Sequence, residues 1–211
     1  MTYRRIKMPV KSEREYRNLP EILAPTDEMI VRGYATTFDQ PYLLYKDDDL
    51  EMWEVVDRNA FESTDMSDVI MQYDHEGRVF ARTNNETLAL RSDEHGLFVE
   101  ANLGGTAIGR ELYEEIKGGY TSKMSFGFTV RSDEWDRRKE DGREISTRRI
   151  LAVRKLYDVS AVSIPANSAT EISARSLIDG EIERIKAERL AREKAEALEA
   201  KRTALIERCK S

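Results

Sequence analysis

His75 and His95 are the only imidazoles in this chain, so a general base working near neutrality has two possible sources. His95 lies in Ser92–Gly96 (SDEHG), a turn composition that leaves it in solvent. His75 directly follows the apolar run Val69–Tyr73 (VIMQY), inside Asp74-His75-Glu76-Gly77-Arg78. A strand ending there supports the imidazole rigidly, and a loop after it exposes the ring. The matching hydroxyl is Ser125, in Lys123–Arg131 (KMSFGFTVR). Met124, Phe126, Phe128 and Val130 alternate with Ser125, Gly127 and Thr129, so one strand face is apolar and the other small and polar. On that face Gly127 leaves room beside Ser125 for a substrate carbonyl. A serine hydroxyl is a weak nucleophile until a base removes its proton, so Ser125 needs His75 close by. Ser122, just upstream, is the competing hydroxyl. Without such a meeting, Ser125 is an ordinary strand serine and His75 an exposed loop residue.

A base of this kind needs a third group that holds its tautomer and stabilises the imidazolium. Asp158, in Leu156–Ser160 (LYDVS), is an acid within an otherwise apolar strand, where a carboxylate is costly without a partner. Its alternative role is a charge on the wet face of an edge strand. Asp74 and Glu76 adjoin His75, but neighbouring side chains in an extended chain point apart. The chemistry implied is acyl transfer through a serine ester. Its oxyanion donors are not identified by pattern; backbone amides near Ser125, Arg78 and Arg82 are the candidates.

The elements that must position these groups are mostly strands. Met29–Phe38 is rich in β-branched and aromatic residues, and Gly33 within it suggests a bulge or close approach. Glu51–Val56 is a short strand, and Asn59–Thr64 a helical turn anchored by Phe61. Thr87–Arg91 and Leu97–Leu103 form a hairpin across Ser92–Gly96. Thr106–Lys117 is a helix with Thr106 as N-cap and Gly118-Gly119 as its stop. Asp133–Ser146 reads as a charged loop, and Arg149–Ile164 supplies further strand before Pro165. The fold class is α+β, mainly β. Beyond it, Leu177–Cys209 is a charged, Ala-rich helix. Ala191, Leu198 and Leu205 recur at heptad spacing, but the seam is too thin for a strong coiled coil.

Composition narrows the function classes. The chain has 211 residues and a net charge of −6, which argues against nucleic acid as a specific ligand. Residues 1–20 carry six Lys/Arg against two Glu, a basic leader that reads as a solvated tail or, alternatively, as a local nucleic-acid arm. One cysteine, Cys209, excludes an internal disulfide and fits a reducing compartment. Two separated histidines and a tail cysteine do not make a metal-ligand cluster, and no cofactor is expected. No apolar run is long enough to span a bilayer, and the basic start lacks the apolar core of a secretory signal.

The same residues carry a resemblance to the tailed-phage (caudovirus) prohead proteases, over about Ile30 to Arg175. The matching stretches are Arg32-Gly33-Tyr34-Ala35 with Phe38, Asn59-Ala60-Phe61, His75 with Ala81-Arg82, and Gly96-Leu97. They continue with Lys117-Gly118-Gly119, Met124-Ser125-Phe126-Gly127-Phe128, Asp158 through Ala166 (DVSAVSIPA), and Ala174-Arg175. The resemblance implies His75 and Ser125 as catalytic residues, with an acid, usually Glu, at the position of Asp158. It implies a compact β-barrel like that of herpesvirus assemblins, with surrounding helices. The assemblin version uses a second histidine as third member; here only His95 is spare, and it is not expected to serve.

On this basis the chain divides into a basic irregular leader (1–27), a protease domain (28–166), a linker (167–176) and a charged C-terminal helix (177–211). The implied work is removal of the scaffolding segment from the major capsid protein, and self-cleavage, inside an assembling procapsid in the host cytoplasm. The implied partners are that capsid protein, its scaffolding segment and further copies of this chain, with no membrane. The alternative is a noncatalytic scaffold or assembly protein that keeps a protease-like fold.

Overall fold

Alternating apolar and polar residues give most of the chain to strands. The computed structural model describes residues 4–6, 14–22, 24–26, 28–162 and 172–210. In order these form β1 (Arg4–Ile6), β2 (Glu15–Ile22), β3 (Ala24–Pro25), β4 (Ile30–Thr37), β5 (Tyr42–Lys46), β6 (Leu50–Val56), β7 (Ile70–Tyr73) and β8 (Glu76–Arg82). There follow β9 (Leu88–Ser92), β10 (Gly96–Asn102), α1 (Ala107–Lys117), β11 (Lys123–Glu140), β12 (Arg143–Val162) and α2 (Ile172–Lys210). The chain falls into two units, Met1–Ala174 and Arg175–Ser211.

β12 is the spine of the larger sheet. It pairs antiparallel with β11 from Glu140↔Arg143 to Lys123↔Val162. Its other edge is shared, with Glu144–Ile150 parallel to β6 and Asp158–Ala161 parallel to β7. β11 is flanked in the same divided way, by β1 toward its end and by β2 at its start. The result is a distal half, β5-β6-β12-β11-β1, and a proximal half, β8-β7-β12-β11-β2. A second, antiparallel sheet has the order β3-β4-β10-β9.

Among the described residues these sheets do not close into the barrel implied by the resemblance. One edge of β12 is shared between β6 and β7, so the larger sheet divides there. Met124, Phe126 and Phe128 are fully buried, and the two Phe rings stack with centroids 4.6 Å apart. Each such ring contributes roughly 2–3 kcal/mol through burial. α1 begins at Thr106, whose hydroxyl accepts from the Gly109 amide at 3.0 Å, and turns Leu112, Tyr113 and Ile116 inward.

Several sequence expectations change here. The bulge in β4 falls at Ala35, because Leu97 pairs with Thr36 and Phe98 with Tyr34; Gly33 is regularly paired with Val99. Asn59–Thr64 closes as successive tight turns that bury Phe61, with Glu62 N donating to Asn59 O at 3.1 Å and Thr64 N to Phe61 O at 3.2 Å. The expected charged loop Asp133–Ser146 is the far end of the β11–β12 hairpin. It reverses at Asp141-Gly142, where φ is +48° and +82°, the left-handed pair that a two-residue hairpin turn requires. The expected irregular leader supplies β1, β2 and β3. Pro20 is tolerated because β2 lies on an edge and bulges there, Leu19 pairing with Met124 and Ile22 with Lys123. Of the expected linker (167–176), residues 172–176 belong to α2 and 167–171 lie outside the described residues, as do 163–166 at the end of the expected protease domain. No helix among the described residues is long and apolar enough to cross a membrane.

A buried ion network fixes β2 in register. Arg17 Nε donates to Glu54 Oε1 at 2.5 Å and its Nη2 to Glu15 Oε2 at 2.6 Å. Arg148 Nη1 donates to the same Glu15 oxygen at 2.5 Å and to Glu54 Oε2 at 2.9 Å, while its Nε donates to Asp133 Oδ2 at 2.7 Å. Tyr42 donates its hydroxyl to Glu54. Burial alone raises the Glu15 carboxyl, but the charges of Arg148 and Arg17 overcome it and hold the group at about 2.

Candidate active site

The proximal half-sheet brings His75, Ser125 and Asp158 together. β7 runs beside β12 and stops at Tyr73, which pairs with Ala161 of β12 and Glu76 of β8. Asp74 and His75 are therefore the two residues of a hairpin turn, with φ of +47° and +61°. A side-chain-bearing residue in this region costs about 1–2 kcal/mol. The Asp74 amide ties the turn to β12 by donating to Ala161 O at 2.9 Å. The loop expected after His75 is thus a tight turn followed directly by β8. Its tip carries the imidazole toward β11.

There His75 Nε2 lies 2.5 Å from Ser125 Oγ, and Nδ1 lies 2.6 Å from Asp158 Oδ1. A carboxylate only accepts, so Nδ1 carries the ring proton and Nε2 accepts from the serine hydroxyl. Asp158 is fully buried, and each of its oxygens is engaged. Ser160 Oγ donates to Oδ1 at 2.8 Å, and the Arg14 guanidinium pairs with Oδ2. Ser125 pairs with Ser160 across the β11–β12 ladder, and Gly127 with Asp158. The strand alternation thus sets nucleophile and acid on one face, two residues apart on neighbouring strands.

β2 completes the surroundings. Tyr16 pairs with Gly127, and its ring meets the His75 ring edge to face at 4.3 Å. Arg14 sits over the Tyr157 ring at 4.5 Å and the Tyr16 ring at 5.2 Å. The space above Gly127 is accordingly not free for a substrate carbonyl, as the sequence suggested. A Cβ there would meet Asp158 Oδ2 at 2.3 Å, Tyr16 Cε1 at 2.8 Å and Arg14 Nε at 3.0 Å. Ser125 itself has no exposed surface.

The other candidates stand elsewhere. His95 is exposed in its turn, against the Tyr34 ring at 4.4 Å. Ser122 precedes β11, and the imidazole is directed at Ser125 instead. Asp74 and Glu76 flank His75, yet Nδ1 is engaged by Asp158. Arg82 is held by Asp68 through contacts of 2.7 and 2.5 Å, which withdraws it as an oxyanion donor. Arg78 is exposed beside a groove shared with Tyr73, Phe80 and Leu112. Among the described residues no group of three or more His, Cys, Asp or Glu is arranged to hold a metal ion.

Sequence reasoning missed Arg14, Tyr16 and Ser160. Ser160 had a signal, since it lies two positions from Asp158 on the same strand face. Arg14 and Tyr16 had none beyond a charged, aromatic leader.

The family model described as Caudovirus prohead serine protease matches residues 18–185 of the chain. That span contains His75, Ser125 and Asp158 and begins after Arg14, Glu15, Tyr16 and Arg17. No curated protein and no solved structure matches the chain.

Proposed function

We infer that this chain, which belongs to the caudovirus prohead serine protease family, cuts peptide bonds with Ser125 as nucleophile, His75 as base and Asp158 as the group that orients His75. The family is one of serine peptidases of the phage prohead, so capsid maturation is its setting. The observation that carries the residue assignment is the imidazole bonded to Ser125 Oγ at 2.5 Å and Asp158 Oδ1 at 2.6 Å.

In the proposed reaction Ser125 Oγ attacks the scissile carbonyl while His75 Nε2 takes its proton. Asp158 keeps the Nδ1–H tautomer in place and stabilises the imidazolium. The imidazolium then protonates the leaving amine, and an ester remains on Ser125. Water, deprotonated by the same nitrogen, hydrolyses that ester. Oxyanion donors supply about 3 kcal/mol in such reactions. Because Ser125 is closed to solvent, a substrate or an active-site probe reaches it through transient opening of its surroundings.

The proposed substrates are the scaffolding segment of the major capsid protein and this chain itself. α2, exposed from Lys186 to Thr203, is the proposed tether to scaffold or shell, or a segment lost by self-cleavage. The test is Ser125→Ala co-expressed with the major capsid protein of the same phage. Removal of a serine-protease nucleophile costs roughly 10⁶-fold, so processing of both proteins should stop. Unchanged processing would leave only the noncatalytic assembly role.

A further inference from the structure

The N-terminal strand meets the site with one face and the buried ion network with the other. Arg14 and Tyr16 reach Asp158 and His75, while Glu15 and Arg17 reach Glu54 and Arg148. This is the period of two that an extended chain imposes. Glu15 and Arg17 are almost fully buried, and β2 pairs with β11 through Glu15↔Phe128, Tyr16↔Gly127 and Arg17↔Phe126. A slip by one residue would exchange the two faces, which would bury unpaired charge and expose the network's partners. The register that places Arg14 against Asp158 is therefore strongly specified.

From this we propose that Arg14 is a positioning residue of the site. It clamps the Asp158 carboxylate and offsets part of that carboxylate's charge on His75. The proposal rests on the assignment of Ser125, His75 and Asp158 made above. Asp158 Oδ1 already serves His75 and Ser160, so Oδ2 is the atom by which the carboxylate is held from behind. The guanidinium is itself held between the Tyr16 and Tyr157 rings. Gly127 leaves the space in which carboxylate and guanidinium meet. All four residues of the 14–17 stretch precede the family match.

The charge effect has a definite sign. The titratable and charged groups about the imidazole are Asp158 from β12, Tyr16 and Arg14 from the N-terminal segment, and Asp74 and Glu76 within its own hairpin. Removing the Arg14 cation leaves Asp158 uncompensated. The bare carboxylate then stabilises the imidazolium more, so the proton leaves His75 at higher pH. A merely structural residue has no such signature.

The test measures the rate at which a fluorophosphonate probe labels Ser125 in the full-length protein, as a function of pH. For Arg14→Ala the expected result is a loss of about 10- to 100-fold near neutrality, with the acid limb moved to higher pH. Arg14→Lys should return the limb toward its original position, because the charge is restored, while recovering only part of the rate. If Arg14→Ala does not fold, Arg14→Gln makes the same comparison. An unchanged rate and limb overturns the proposal. So does a loss with an unmoved limb and no rescue by lysine, which would mean bulk packing alone. Ser125→Ala is run alongside: labelling that survives it overturns the site assignment itself, whereas labelling lost there but unaffected at Arg14 overturns only this inference.

Discussion

Gly127 faces Asp158 across the β11–β12 ladder so closely that a methyl group on Gly127 would stand 2.3 Å from Asp158 Oδ2. Nothing there yields cheaply. Asp158 is fully buried, and the next obstacle is the Tyr16 ring at 2.8 Å. Overpacking of this kind costs about 1–3 kcal/mol. At the proposed site the effect is larger, because misplacing a catalytic group by an ångström costs about 10²-fold. Gly127→Ala is therefore expected to fold, with a modestly lowered unfolding midpoint, and to label with fluorophosphonate about 10²-fold more slowly. Labelling at the wild-type rate would show that the carboxylate's exact seat is unimportant.

Asp158→Asn probes the carboxylate directly. An amide presents either an acceptor or a donor to His75 Nδ1. With the NH₂ group toward the ring, Nδ1 must become the acceptor and Nε2 the protonated nitrogen, which can no longer take the Ser125 proton. The comparable change in serine proteases lowers turnover about 10⁴-fold. The expected outcome is near-complete loss of capsid-protein processing in a protein whose circular dichroism matches the wild type. Processing within tenfold of normal would remove Asp158 from the mechanism.

The three residues proposed for the site, which the fold brings together, were legible because their signals are local. Ser125 stands on the small face of an alternating strand, Asp158 is an acid in an apolar run, and His75 ends a buried strand. Their support was not legible. Arg14 meets Asp158 across 144 positions of chain, and no periodicity reports a pairing of that range. The same holds for the Asp133–Ser146 segment, whose charges suggested a solvated loop. Trp135 and Arg137 are in fact buried there, and Asp133 pairs with the buried Arg148, which Glu15 and Glu54 from β2 and β6 also neutralise. A buried ion pair looks like solvent-facing sequence until its partner is known. The division of the larger sheet escaped the reading for a related reason, since only the pairing of β12 with both β6 and β7 reveals it.

The Asp141-Gly142 turn offers a cleaner check on the long hairpin. Gly142 has a φ of +82°, and a Cβ there would meet nothing within 4 Å. Substitution by alanine is thus penalised by backbone strain alone, about 1–2 kcal/mol. Gly142→Ala should lower the free energy of urea unfolding by that amount while leaving the labelling rate of Ser125 unchanged. No loss of stability would mean that the turn is not held in the left-handed conformation.

Acid should act through Glu15. Its carboxyl titrates at about 2 in the folded protein against an ordinary value of 4.5, because Arg148 and Arg17 outweigh the burial that would raise it. Between those values the folded state binds fewer protons than the unfolded one. The carboxylate's contribution is therefore complete above about pH 4.5 and disappears as the pH falls toward about 2, an effect on the order of 3 kcal/mol. Glu15→Gln removes the titrating group and leaves two buried arginines with one fewer counter-charge. Measured by urea unfolding, the variant should be clearly less stable than the wild type at pH 6, and the gap should narrow steadily between pH 4.5 and pH 2. A gap that stays constant over that interval would show that the network does not hold Glu15 ionised.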